Sequence, residues 1–400
     1  MPLDTKEKIL LVGPDWSLPF APQEMLRGAQ ATWQFSLTQH GMGALNLLAQ
    51  EDFDAVIADQ TLTDIPAREL LDLVMQRHPR ALRFLYTPLD SDAARLKLVG
   101  VSHQLLNKPC SPQTLQSALR RGFSFRTWLP GGAVARLVPC LNKLPSPPDI
   151  YFQVIKEIQS PYSSAASIGA LVAKDPAVAA KLLQIANSVA FGLHHPISDV
   201  RESVMYLGIE TTRSIILLAH TFSYFDRFKV SFRPEDLWNH SVRVAQRAQK
   251  IARMEAAPQE MLDQCYTAGL LHDLGKMVLA ANLPELYAQC VSAARMRQTP
   301  IHLVETELFG ATHAEVGAAL FGVWGLADGV LEAVALHHNP ARLLNTSFCP
   351  LTAVHAANFF CEEVDVGPIP GSPLDSQYIE TLGLSLRVEK WRQECRNAVV

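Results

Sequence analysis

"GLLHDLGKMV", Gly269 to Val278, sets His272 beside Asp273 in a stretch that is otherwise apolar except for Lys276. A carboxylate buried on an apolar helix costs several kcal/mol unless it is partnered. The pair therefore calls for either a metal ion or a satisfied polar network. Lys276, three residues beyond Asp273, falls on the same helical face and is a ready partner.

Outward from this motif the helical pattern continues in both directions. "EDLWNHSVRVAQRAQKIARM", "HAEVGAALFGVWG", "GVLEAVALHHN" and "LTAVHAANFFCEE" all repeat apolar residues at three and four. Upstream, in "KDPAVAAKLLQIANSVAFG", Asp175 is placed as an N-cap with Pro176 at the first helical position. The stretch 147–360 reads as an all-α domain. It is followed over 361–400 by a loop, "VDVGPIPGSPLDSQ", and a last amphipathic helix near "LRVEKWRQECRNAV".

Several helices of this domain carry histidines: His240, His272, His313, His337, His338 and His355. Neutral imidazoles together with a carboxylate are ordinary ligands for zinc, iron or manganese, and such a centre activates water against a phosphodiester. The same residues also suit a buried hydrogen-bonded network centred on Asp273 and Lys276 that needs no metal. Both readings stand on the residues alone.

Residues 1–122 have a different rhythm. "KILLVG", "FDAVIAD", "ALRFLYTP" and "HQLLNKP" are short apolar runs separated by amphipathic segments such as "ARELLDLVMQRH". This alternation predicts a doubly wound, parallel α/β domain with its functional groups at the carboxyl ends of the strands. Prolines and glycines break the pattern over 123–146, which is expected to be the connection. The fold class is thus multidomain, α/β followed by all-α.

The 400 residues carry 35 basic and 39 acidic side chains, a net charge of −4, with no dense basic stripe, which argues against nucleic-acid binding. Arg120, Arg121 and Arg126 are read as a solvated helix end. Seven scattered cysteines without a CxxC pair suit reduced thiols. The N-terminus lacks a secretory pattern and no apolar run reaches the length of a membrane span. A cytoplasmic protein is expected.

The first domain resembles the receiver domain of two-component response regulators across residues 7–122. "DAVIADQTLTDIPARELL" places Asp59 at the phosphoacceptor position, "LRFLYTPLDS" places Thr87 at the strand-end hydroxyl, and "HQLLNKPCSPQTL" places Lys108 and Pro109 at the Lys-Pro pair. The resemblance implies Mg²⁺ on two adjacent carboxylates after the first strand. Here Gly13 and Pro14 stand there and Asp15 follows, which weakens that site and leaves a receiver or a pseudo-receiver.

The second domain resembles the HDOD domain, the HD-related output domain of bacterial signalling proteins. The resemblance rests on "LPSPPDIYFQVIKEIQSP", "DPAVAAKLLQIANSVAFG", "PISDVRESVMYLGIETTRSIILL", "LWNHSV", "AGLLHDLGKMVLA", "FGATHAEVGAAL" and "LEAVALHHNP". It places His240, His272, Asp273, His313 and either His337 or His338 at ligand-like positions for a transition metal. Asn358 stands where HD hydrolases close the site with an aspartate. The Gly-Tyr-Pro signature of the related cyclic-di-GMP phosphodiesterases is absent from "HHNPARLLNTSF".

These resemblances imply a bacterial signal transduction protein whose HDOD domain is a non-catalytic interaction module regulated by the receiver-like domain. Signalling proteins such as a histidine kinase or other regulators are the expected partners, and self-association is compatible with the same role. The alternative is a metal-dependent HD-type phosphohydrolase, a cyclic-dinucleotide phosphodiesterase included.

Overall fold

The computed structural model describes residues 7–14, 33–78, 81–88 and 104–108, isolated positions between 110 and 141, and 148–396 apart from 159, 188–196, 227, 229, 325, 344–346 and 365–366. Asp15, Pro109 and nearly all of the 123–146 connection lie outside the described residues. The chain divides into two compact units, the first built on Met1–Cys140 and the second on Leu141–Phe321 and Leu326–Val400.

Period-two alternation with apolar residues on both faces builds the first unit. Its elements are β1 (Glu7–Val12), β2 (Trp33–Thr38), α1 (Gly41–Leu48), β3 (Ala55–Asp59), α2 (Ala67–Arg77), β4 (Leu82–Pro88) and β5 (Gln104–Lys108). All strand pairs are parallel, in the order β2-β1-β3-β4-β5. Leu10, Val12, Val56, Ala58 and Leu85 meet α1 and α2 on one face. Ile9, Leu11, Ala55, Ile57, Phe84 and Tyr86 meet Leu115, Leu119 and Phe123 on the other. A strand covered on both sides is continuously apolar, so the short runs in the sequence had this meaning. The register pairs Asp59 with Tyr86 and Pro88 with Lys108, which lines up Asp59, Thr87 and Lys108 at the carboxyl edge.

The second unit is helical among its described residues. It comprises α3 (Asp149–Ile158), α4 (Ala165–Val172), α5 (Pro176–Ala186), α6 (Val200–Leu207), α7 (Ile209–Phe225), α8 (Pro234–Met254), α9 (Gln259–Leu271) and α10 (Leu274–Asn282). It continues with α11 (Pro284–Arg297), α12 (Ile301–Phe309), α13 (His313–Val323), α14 (Asp328–Leu336), α15 (Pro350–Val364), α16 (Ser376–Thr381) and α17 (Val388–Arg396). Asp175 caps α5 as expected, its Oδ1 accepting from the amides of Ala177 and Val178 at 3.1 Å each. Helices α8, α9 and α15 pack against one another at the centre.

The helical unit extends beyond the expected boundary at 360. α15 runs on to Val364, and α17 returns to pack on α8 and α15. Trp391 and Cys395, four residues apart on one face of α17, are buried there, and Trp391 Nε1 donates to Glu255 Oε1 at 2.8 Å. That narrow apolar face is what binds this tail to the core.

No helix among the described residues is long and apolar enough to cross a membrane.

Candidate functional site

At the edge of the sheet, Asp59 is fully buried. Lys108 Nζ donates to its two carboxylate oxygens at 2.6 and 2.7 Å, and the amide and hydroxyl of Thr61 each donate to Oδ1 at 2.8 Å. Thr87, on the neighbouring strand, donates its hydroxyl to Gln60 Oε1. Of the residues singled out by resemblance, Asp59 and Lys108 are therefore in contact and Thr87 stands on the strand between theirs, bonded to Gln60. Gly13 explains the missing carboxylates: a Cβ there would lie 2.3 Å from Asp59 Cβ. The end of β1 rests directly on Asp59, so a side chain at 13 cannot enter without displacing it. Both oxygens of Asp59 are engaged, by the Lys108 ammonium and by the amide and hydroxyl of Thr61. That donor set does not fit Mg²⁺, which needs several hard oxygen ligands.

The second cluster lies within the helical unit, where α9 ends and α10 begins. His272 closes α9 and Asp273 opens α10. His240 comes from α8, His313 from the start of α13, His337 and His338 from the end of α14, and Asn358 from α15. Close packing at Gly275 makes this possible, since a Cβ there would lie 1.9 Å from the carbonyl oxygen of His313. The backbone of α13 thus rests against the first turn of α10.

Asp273 is the hub. Its Oδ2 accepts from Lys276 Nζ at 2.6 Å and lies 3.5 Å from His272 Nε2 and 3.7 Å from His240 Nε2. Its Oδ1 lies 3.0 Å from His313 Nε2 and 3.8 Å from His337 Nε2. The His313 approach is an ion-pair contact rather than an aligned hydrogen bond, and Oδ1 is left unpartnered, as are His272 Nε2 and His337 Nε2.

Outer partners fix the ring orientations. His272 Nδ1 donates to the Gly269 carbonyl and His337 Nδ1 to the Val334 carbonyl, both at 2.8 Å. His313 Nδ1 donates to Glu305 Oε2 at 2.6 Å, and Glu305 also accepts from the His313 amide and from Tyr287 Oη. A protonated Nδ1 leaves Nε2 of His272 and His337 as a lone pair aimed inward, the arrangement that metal-ligating histidines adopt, whereas Glu305 holds His313 toward its protonated form. His240 differs. Its Nε2 meets Asn358 Oδ1 at 2.9 Å, and because an amide oxygen only accepts, this nitrogen donates. Asn358 thereby caps His240 instead of supplying a second carboxylate.

Burial governs the electrostatics. It pushes the imidazoles of His272, His337 and His338 below their ordinary range and that of His240 down to about 3. Burial acts on His313 in the same direction, but Glu305 outweighs it and holds His313 above the ordinary value. Asp273 is also buried, which alone would raise it, yet His272, Lys276 and His313 keep it well below the carboxylate range. Burial would lower Lys276, and Asp273 more than compensates. The cluster thus balances two anions, Asp273 and Glu305, against Lys276 and His313.

Two groups gather potential ligand atoms within 4.8 Å of one another: Asp273, His313, His337 and His338, and His240, His272 and Asp273. Asp273 belongs to both. The buried, unpartnered His272 Nε2, His337 Nε2 and Asp273 Oδ1 fit a divalent transition metal in their chemistry. Of the residues named from the sequence, His240, His272, Asp273, His313, His337 and His338 come together in these groups, and Asn358 lies against His240. Sequence reasoning missed Glu305, His302, Glu362 and Ser372. Glu305 carried a signal, a carboxylate inside the apolar "IHLVETELF" eight residues before His313; Ser372, in a proline-rich loop, carried none.

The helical unit thus gathers an HD pair amid converging histidines. Within it, residues 144–340 match the HDOD domain and form one. An uncharacterized protein of Treponema pallidum (strain Nichols) is 26% identical over 205 residues, covering 51% of this chain and 39% of its own length, so the match spans well under half of that relative. The crystal structure of an HDOD domain protein of unknown function from Geobacter sulfurreducens is 23% identical with a TM-score of 0.55, covering 69% of this chain and 99% of that one. The signal receiver domain of an HD domain-containing protein from Pseudomonas fluorescens Pf-5 is 25% identical with a TM-score of 0.27, covering 30% of this chain and 90% of its own.

Proposed function

We propose that the protein is a bacterial, cytoplasmic signal transduction protein of the two-component type, in which a receiver-like domain regulates an HDOD domain that binds signalling partners without turning over a substrate. The observation that carries this reading is the ion pair of Lys276 with Asp273, 2.6 Å long, on the one carboxylate of the HD motif. A hydrolytic centre needs net positive charge from metal at the phosphate and a carboxylate free to hold it. Here a lysine already neutralises that carboxylate, and Asn358 adds no second one. In the first unit the Asp59–Lys108 pair acts as a structural lock, and the domain works as a pseudo-receiver rather than through phosphorylation.

A metal-dependent phosphohydrolase is the second reading, favoured by the unpartnered nitrogens of His272 and His337. His272, His313, His337, His338 and Asp273 would hold the ion, which when bound supplies Lewis-acid polarisation of a phosphate oxygen or water. The protein's own part is orientation: Gly269, Val334 and Glu305 hold the rings with Nε2 inward. Elemental analysis of the full chain purified without chelators, followed by assays on cyclic dinucleotides and nucleotides, separates the readings. Turnover that disappears in Asp273→Ala, together with stoichiometric metal, overturns the first.

A further inference from the structure

We infer that residues 367–375, which follow the matched HDOD stretch, form a strap that closes the His338 side of the histidine centre, with Ser372 as a positioning residue for His338. This closure goes beyond the functional reading above and holds under either form of it.

The strap is tied down along its length. Gln298 Nε2 donates to the Pro368 carbonyl at 3.3 Å, and Ile369 packs on the cluster of Cys290, Ala294 and Val304. The Ser372 amide donates to Glu362 Oε2 at 2.9 Å, and the Asp375 amide donates to His355 Nε2 at 2.9 Å. Ser372 is buried while Gly371 and Pro373 on either side are exposed, so a single polar residue dips into the protein. At Gly371 a Cβ would lie 2.3 Å from Glu362 Oε2 and 2.7 Å from Glu362 Cβ. Close approach of this backbone to α15 therefore requires glycine.

The Ser372 hydroxyl sits between two stacked imidazoles, 2.7 Å from His338 Nδ1 and 3.3 Å from His302 Nδ1, with the ring centroids 4.2 Å apart. One hydroxyl proton serves one acceptor, so Ser372 donates to one of these rings and accepts from the other. In the closure inferred here it accepts from His338 Nδ1–H across the shorter contact and donates to His302. His338 then follows the pattern of His272 and His337: Nδ1 is protonated toward an outer partner and Nε2 is a lone pair facing His313 Nε2, 3.1 Å away. The inner histidines receive their outer partners from within the HDOD stretch, and His338 receives its own from the strap. His355 links the two, because its Nδ1 donates to the His337 carbonyl at 2.7 Å while its Nε2 is capped by the strap. Releasing the strap uncovers His355 Nε2 and frees His338 to change tautomer.

Two variants of the full chain test this. Gly371→Val forces the strap off α15 without touching a histidine, and Ser372→Ala removes only the hydroxyl. Carbethoxylation of His355 by diethyl pyrocarbonate, followed by peptide mass spectrometry, should run at least about tenfold faster in Gly371→Val, the change expected for losing a local closure of modest free energy. Amides of 371–375 should exchange faster in both variants while those of α8 stay protected. The imidazole ¹⁵N spectrum should show His338 as the Nδ1–H tautomer in the wild type and as a mixture in Ser372→Ala. A wild-type His355 that reacts as fast as the exposed His40, equal His355 rates in wild type and Gly371→Val, or a wild-type His338 in the Nε2–H tautomer overturns the inference.

Discussion

Lys276 Nζ lies 2.6 Å from Asp273 Oδ2, one helical turn along α10, and both side chains sit in a cluster of imidazoles. A buried pair of this kind adds little over an apolar isostere, but removing one partner strands the other charge. Lys276→Met should therefore destabilise the helical unit by about 3–5 kcal/mol. The double variant Lys276→Met with Asp273→Asn should cost less than the sum of the two single changes. Urea unfolding of the four proteins in the cycle measures this, and simple additivity would show that the pair is not coupled.

Gly13→Asp restores a carboxylate where receivers carry one, yet the new Cβ would meet Asp59 Cβ at 2.3 Å in backbone held at a φ of +144°. The expected outcome is a loss of at least about 1 kcal/mol from the first unit, with no gain in Mg²⁺ affinity. Thermal melting with and without Mg²⁺ checks both halves.

Asp64 reaches across from the loop after β3 to cap α1, accepting from the Gly41 amide at 3.0 Å and the Met42 amide at 2.8 Å. Those bonds bring its carboxyl down to about 2. A depressed folded-state value means that the stabilisation is present above pH about 4 and is lost as pH falls toward about 2. Because the group is exposed, Asp64→Ala should cost no more than about 1 kcal/mol at neutral pH, and the difference from wild type should vanish in acid. Melting temperatures of both proteins across that range would reveal it.

Trp391 is fully buried against the helical unit. Trp391→Ala should cost about 3–5 kcal/mol, as read by denaturant unfolding of the whole helical unit in one transition. A separate early transition of the C-terminal segment would contradict its place in the core.

The strands of the first unit were legible because burial on both faces leaves continuous apolar runs, as in "AVIAD". The histidines were legible because they recur within strongly apolar helical patterns, His272, His313, His337 and His338 at helix ends and His240 within α8. Their tautomers were not legible. Those depend on Gly269 and Val334 carbonyls, whose directions are set by the ends of α9 and α14, and on Glu305, which approaches through a helix–helix contact. The role of Ser372 was hidden because hydrogen bonds to His302 and His338 span 70 and 34 residues, beyond any local pattern. Asn358 was read from the sequence as standing at the closing position of the site; its bond to His240 depends on how α8 and α15 pack, which no local pattern encodes.

The central claim is that Asp273, neutralised by Lys276, organises a binding domain rather than a reaction. Hydrolysis of cyclic dinucleotides, nucleotides and a generic phosphodiester by the full chain, in the presence of Mn²⁺ or Fe²⁺ and beside Asp273→Ala, tests it most directly. The account predicts that wild type and variant give the same background rate; a wild-type rate well above background that Asp273→Ala abolishes would contradict it.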